Sequence, residues 1–211
     1  MNTPRHIAIV GGSGSGKTWL AEATAAALAS RAVRVSLDDF YRDLAGLPFA
    51  EREHLNFDDP AAIDWETLRR VFDSFQAGQP AVLPVYDFAT HTRRPETRQV
   101  NPAPLIIWDG LWLLHHPWLR HRFDRRIFVD CPAGLRYERR AARDLRERGR
   151  TPESVHRQFH EQVEPMHRQF VEPQRATATH IFPSPPPPGA LDRLLLELRS
   201  SLENLEPLLT S

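Results

Sequence analysis

Gly11-Gly12-Ser13-Gly14-Ser15-Gly16-Lys17-Thr18 decides the fold. The octet satisfies G-x-x-x-x-G-K-[ST] at every fixed position. Glycines let consecutive backbone N–H groups curl round a phosphate without Cβ interference. Lys17 reaches the β- and γ-phosphates of a bound ATP, and the Thr18 hydroxyl ligates its Mg2+. The flanks agree with this. His6–Val10 is a short apolar run that reads as a buried parallel strand. Trp19–Arg31 is alanine-rich and reads as a helix, whose positive end faces the anion. A glycine-rich turn without nucleotide would not need this strand–loop–helix setting.

Lys17 is also the single lysine of the chain; the rest of the 27 Lys and Arg residues are arginines. The compact ammonium is used where a narrow phosphate cradle favours a point charge over a planar fork.

Outward from the octet, strands and helices alternate. Val33–Leu37, Leu105–Asp109, Arg126–Asp130 and His180–Phe182 read as further strands. Asp64–Gln76, capped by Asp64, Ala133–Arg146, Pro152–Phe170 and Ala190–Leu205 read as helices. Ala81–Phe88 and Thr97–Val100 flank a polar turn and suggest a hairpin, while Asp38–Asn56 reads as irregular. The pattern predicts an α/β P-loop NTPase fold with a parallel sheet covered by helices on both faces. The 211 residues suit one domain, 1–211, with a hairpin over 80–102 and a lid region over 133–170.

Ligands bind at the carboxyl ends of such strands. Three aspartates stand there: Asp38, Asp109 and Asp130. Asp109 is placed as the second Mg2+-orienting acid, and Asp38 to take an acceptor's proton and touch the metal shell. Asp130 reads equally well as a helix entry. Arg136, Arg139, Arg140, Arg143, Arg146, Arg148 and Arg150 crowd into fifteen residues. Arg136, Arg140 and Arg143 share one helix face, and such cations suit a lid over triphosphate. A solvated face paired with Glu138, Asp144 and Glu147 is the plainer reading.

Net charge is zero, which gives no case for nucleic acid. No apolar run approaches ~20 residues, so no membrane partner is expected. One cysteine, Cys131, excludes an internal disulfide framework and fits a reducing cytoplasmic compartment. Core packing accounts for the apolar face of Ala190–Leu205, which leaves a homo-oligomer open.

With these motifs in order, the chain resembles the uridine–cytidine kinase branch of the phosphoribulokinase/uridine kinase family over roughly residues 6 to 183. Ser36-Leu37-Asp38-Asp39-Phe40-Tyr41-Arg42 resembles the segment carrying the family's catalytic aspartate, at Asp38. Asn56-Phe57-Asp58-Asp59-Pro60 resembles the sugar-binding segment, at Asp58. Pro84–His91 resembles the hairpin enclosing the base, with Tyr86, Phe88 and His91 at contacting positions. Tyr86 and Phe88, two apart on a strand, point the same way and could flank a base. Arg143–Arg150 resembles the lid, where Arg143 and Arg148 match phosphate contacts and Arg150 a sugar contact. Arg140 and Gln158 complete the implied nucleoside contacts. Two departures stand out. The family's Asp-His-Pro-Asp-Ala-Phe-Asp reads Asp58-Asp59-Pro60-Ala61-Ala62-Ile63-Asp64 here, and Asp109 replaces the commoner glutamate. The shorter side chain favours a water between carboxylate and metal.

The resemblance implies ATP- and Mg2+-dependent phosphorylation of the 5'-hydroxyl of uridine or cytidine. Lys17, Asp38 and Arg143 are then the catalytic groups, and Thr18, Asp38 and Asp109 the metal side. A kinase of the same group acting on nicotinamide riboside or another small alcohol is the near alternative. A nucleotide switch without acceptor is the distant one; it would not need Asp38, Asp58 and the hairpin together.

Overall fold

The computed structural model describes residues 3–52, 54–147 and 149–203. Among the described residues, seven strands run as β1 (Arg5–Val10), β2 (Ala32–Ser36), β3 (Ala81–Asp87), β4 (Thr92–Val100), β5 (Leu105–Gly110), β6 (Arg125–Asp130) and β7 (His180–Pro183). The α-helices are α1 (Lys17–Leu28), α2 (Phe49–Arg52), α3 (Trp65–Gln76), α4 (Pro117–Arg120), α5 (Ala133–Glu147), α6 (Pro152–Gln158), α7 (Glu164–Met166) and α8 (Ala190–Glu203). Five strands form a parallel sheet in the order β2-β5-β1-β6-β7. Among the described residues, no helix is long and apolar enough to cross a membrane.

The sheet is covered on both faces, and β1 shows why its sequence has no polar alternation. Ile7 and Ile9 pack with Leu20 and Leu28 of α1 and Leu194 and Leu198 of α8. Ala8 and Val10 point the other way, into a core with Phe72 and Phe75 of α3, Trp108 and Phe128. Successive side chains serve opposite layers, so the run from Ile7 to Val10 is apolar throughout. All six residues of β5 are buried for the same reason.

Asp64 caps α3 as its sequence predicts, accepting from the Thr67 backbone N–H at 3.0 Å and from its hydroxyl at 2.7 Å. Such a cap contributes ~1 kcal/mol. The antiparallel hairpin β3–β4 stands apart from the main sheet, with Ala81 opposite Val100 and Tyr86 opposite Arg93.

Three local expectations change. β4 starts at Thr92, five residues before the predicted Thr97, because most of its side chains face water and give no period-2 signal. The region after β2 is partly ordered, with a 3-10 turn over Leu37–Phe40 and the short α2. The predicted helix Pro152–Phe170 is interrupted by π-helical turns at Phe159–Val163 and His167–Val171, and ends in a 3-10 stretch at Glu172–Thr177. Pro165 and Pro173 follow these wide turns. Proline cannot donate to the ladder and crowds the carbonyl four residues back, so the helix widens there. The predicted end of α8 at Leu205 lies outside the described residues.

His6 is fully inside this core. Its Nδ1 accepts from the Trp108 indole N–H at 3.1 Å, and its ring lies 4.3 Å from that of Phe72. Burial lowers its pKa from 6.5 to about 4, against the opposing pull of Asp124. A depressed histidine is neutral in the fold while the unfolded chain takes up its proton, so stability is lost as pH falls from 6.5 towards 4. Between pH 7 and pH 5 the expected loss from His6 is roughly 2 kcal/mol. Urea midpoints at the two pH values, for wild type and His6→Leu, check this: the variant should lose less stability over the interval. Equal losses would assign the acid sensitivity elsewhere.

Candidate functional site

β1 delivers the chain into the phosphate loop at the centre of the sheet, and α1 begins at Lys17. Inside the loop the Ser15 N–H donates to the Gly12 carbonyl at 3.0 Å. Gly14 sits at φ +78°, and a Cβ there would fall 2.3 Å from the Arg136 carbonyl of α5. Only glycine meets both demands. Arg139 of α5 donates to the Ser15 carbonyl at 3.3 Å and to the Ser184 hydroxyl at 2.8 Å. Arg136 is buried and donates to Glu164 at 2.7 Å. These two arginines brace the loop from α5, a use that the lid reading of the sequence did not foresee.

Lys17 is buried, and burial lowers its pKa; the nearby Asp38 and Asp109 oppose that shift and Arg143 adds to it. Thr18 Oγ1 donates to Asp109 Oδ2 at 3.3 Å. The Arg34 fork from β2 also grips Asp109, with Nε on Oδ1 at 2.7 Å and the second terminal nitrogen on Oδ2 at 3.1 Å. Among the described residues no group of three or more His, Cys, Asp or Glu side chains could hold a metal by itself. One hydroxyl and one or two carboxylates nevertheless fit Mg2+, which keeps several waters and shares its remaining positions with substrate phosphates.

Asp38 lies in the 3-10 turn directly after β2, with Ser36 Oγ accepting from its backbone N–H at 3.3 Å. The preceding residue sets the spacing of the two acids. A Cβ on Gly110, which follows Asp109, would fall 2.3 Å from the Leu37 Cβ. The Leu37 side chain, one residue before Asp38, therefore rests directly on the Gly110 main chain, one residue after Asp109.

Beside the loop opens a cavity of about 520 Å³. Lys17, Asp38 and Arg143 line it together with every predicted acceptor residue: Asp58, Tyr86, Phe88, His91, Arg140, Arg150 and Gln158. Its polar lining is one network. Arg140, nearly fully buried, donates to the Ser13 hydroxyl of the phosphate loop at 2.8 Å and to Gln158 Oε1 at 3.0 Å. Arg150 donates to the same Gln158 oxygen. Arg140 lies 3.8 Å from Asp58 and 3.4 Å from the buried Asp144, which also pairs with Arg143 at 2.8 Å. Asp58 is fixed by a local turn, its N–H donating to Asn56 Oδ1 at 3.0 Å. Neighbouring Asp59, where the sequence departs from the family pattern, caps the turn at Pro60–Ala62 by accepting from the Ala61 N–H at 2.8 Å.

The apolar lining is aromatic. Tyr86 and Phe88 meet edge to face at 5.2 Å, and Tyr41 packs on Tyr86 at 5.1 Å. His91, in a left-handed conformation at the hairpin turn, stacks on Phe57 at 4.5 Å and 14°. The Tyr86 hydroxyl is buried without a protein partner, and burial raises its pKa to about 12. Such an orphaned donor beside a cavity suits a polar ligand edge.

Tyr41, Phe49, Phe57 and Leu111 also line the cavity, and the sequence reading assigned them no role. Two signals were present. Tyr41 follows Asp38 by one 3-10 turn, and Phe57 adjoins Asp58. Asp130, the third strand-end acid, instead pairs with Arg175 at 3.3 Å and does not line the cavity. Arg148 lies outside the described residues.

The chain matches the model of the phosphoribulokinase/uridine kinase family over residues 6–187. It is 41% identical over 204 residues to a uridine kinase of Chloroflexus aggregans, covering 96% of this chain and 98% of the relative. It is 40% identical over 199 residues to a uridine kinase of Deinococcus deserti, covering 94% of each. Among solved structures, phosphoribulokinase from Rhodobacter spheroides superposes with a TM-score of 0.66 at 19% identity, covering 86% of this chain and 70% of that one. D-glycerate 3-kinase from Cryptococcus neoformans gives a TM-score of 0.61 at 20% identity, covering 81% and 80%. At such identities these two show the fold alone. Phosphate loop, strand-end acids and near full-length matches converge: the chain is a kinase and belongs to the phosphoribulokinase/uridine kinase family.

Proposed function

We propose that the protein transfers the γ-phosphoryl of ATP to the 5'-hydroxyl of uridine or cytidine. The observation that carries this reading is one cavity in which Lys17 and Asp38 share a wall with Asp58, Arg140 and an aromatic enclosure. A switch without acceptor has no use for that enclosure.

Asp58 and Arg140 hold the ribose hydroxyls, and Tyr86, Phe88 and His91 enclose the base. The Tyr86 hydroxyl donates to or accepts from the base edge. Asp38 receives the proton of the 5'-hydroxyl as its oxygen bonds to the γ-phosphorus. The bond from that phosphorus to the β,γ-bridging oxygen breaks, and ADP leaves. Lys17 and Arg143 neutralise charge on the transferring group. Mg2+, when bound at Thr18 and near Asp109, neutralises the β- and γ-phosphate oxygens. The buried Cys131 accords with a reducing cytoplasmic setting.

A coupled ADP-release assay with Mg-ATP against uridine, cytidine, adenosine, thymidine and nicotinamide riboside tests the reading. Uridine- or cytidine-dependent turnover yielding a 5'-monophosphate is expected. Turnover only with nicotinamide riboside would move the substrate and keep the mechanism. Turnover with none of them would overturn the nucleoside assignment.

A further inference from the structure

Asp109 and its partner Arg34 point beyond the proposed reaction, on which the following inference rests. Arg34 belongs to β2, the edge strand of the sheet, two residues before Ser36, the register partner of Asp109. Strand alternation puts Arg34 and Ser36 on one face, so the long arginine reaches across to the end of β5. The Asp109 side chain is 2% exposed and Arg34 27%. Outside, Arg34 also pairs with Glu22 of α1 at 3.2 Å, which steadies the fork from its exposed side.

The fork and the Thr18 hydroxyl place three donors on a carboxylate with about four acceptor sites. A carboxylate so engaged is charge-neutralised and a weak direct ligand for a hard dication. It remains a good acceptor for water. We propose that Arg34 is a positioning residue: it holds Asp109 beside Thr18 as a neutralised acceptor, so that Asp109 meets the divalent cation through bound water. The missing methylene of Asp109, relative to a glutamate, is thus matched by a cation already in place on its neighbouring strand.

The test titrates magnesium chloride calorimetrically into the full nucleotide-free chain and into its complex with a non-hydrolysable ATP analogue. kcat and nucleoside KM are measured in parallel, for wild type, Arg34→Ala, Arg34→Lys and Arg34→Gln. Removing a unit positive charge several ångströms from the dication should tighten Mg2+ binding about three- to tenfold in Arg34→Ala. kcat should fall about tenfold with nucleoside KM unchanged, because Asp109 is no longer held against Thr18. Arg34→Lys keeps the charge, so its Mg2+ affinity should stay within about twofold of wild type while kcat still drops. Where Arg34→Ala does not fold, Arg34→Gln carries the same expectation. Unchanged affinity and kcat would reduce the pair to a scaffold contact. Weakened Mg2+ binding would mean that the cation site depends on Arg34 for its structural order and that its charge does not temper the affinity; either result overturns the proposal. The titration needs no acceptor, so it decides the role of Arg34 even if no nucleoside is turned over.

Discussion

Asp38→Ala is expected to lower kcat by about 10³-fold, the scale of a lost general base together with its positioning of the hydroxyl. ATP affinity should stay within about threefold of wild type, because in the proposed complex the triphosphate is held by backbone N–H groups, Lys17 and the α1 N-terminus. The Asp38 backbone is fixed by Ser36 and by the seat of Leu37 on Gly110, so truncating the side chain leaves the site standing. Calorimetric ATP binding and single-turnover product formation separate the two effects. Near wild-type turnover would remove Asp38 from the chemistry, and a parallel loss of ATP binding would recast it as part of the metal site.

The second large effect is expected at Asp58. Replacing it with alanine should lower kcat/KM for the nucleoside about 10²- to 10³-fold, since each hydrogen bond to a charged group contributes ~1.5–3 kcal/mol. The diagnostic is selectivity. Wild type should prefer uridine to 2'-deoxyuridine strongly, because the deoxy analogue leaves buried polar groups unpaired. In Asp58→Ala that preference should collapse, the activity on uridine falling towards that on the deoxy compound. Equal losses on both substrates would show that Asp58 only shapes the wall. Asp58→Asn controls for the charge beside Arg140, 3.8 Å away.

Some of this architecture is written directly in residue patterns. The phosphate octet, the apolar run before it and the Asp64 cap are local signals, each read by a rule about backbone geometry. Strand-end acids were legible too, because parallel strands must end on the ligand side. The resemblance to the family supplied what periodicity could not: that Asp58, Tyr86, His91 and Gln158 line one cavity although they come from distant parts of the chain. Other features had no local signal. A wet strand such as β4 shows no alternation, and a π-turn looks like ordinary helix until a proline is weighed against it. The bracing roles of Arg136 and Arg139 depend on where α5 docks, so composition showed only that the helix was basic. Arg34 was invisible because its partner lies on another strand, 75 residues away.

The contact between Leu37 and Gly110 carries a last implication. It joins the segments that carry Asp38 and Asp109 through a single side chain, that of Leu37, seated on the Gly110 backbone. The spacing of Asp38 and Asp109 therefore follows the packing of β2 against β5, whatever lines the rest of the cavity. In engineering terms, that spacing belongs to the chassis, while the hairpin is a separate sheet mounted beside it. Recruiting a new alcohol should then be a task for the hairpin, with residues 37–38 and 109–110 left untouched.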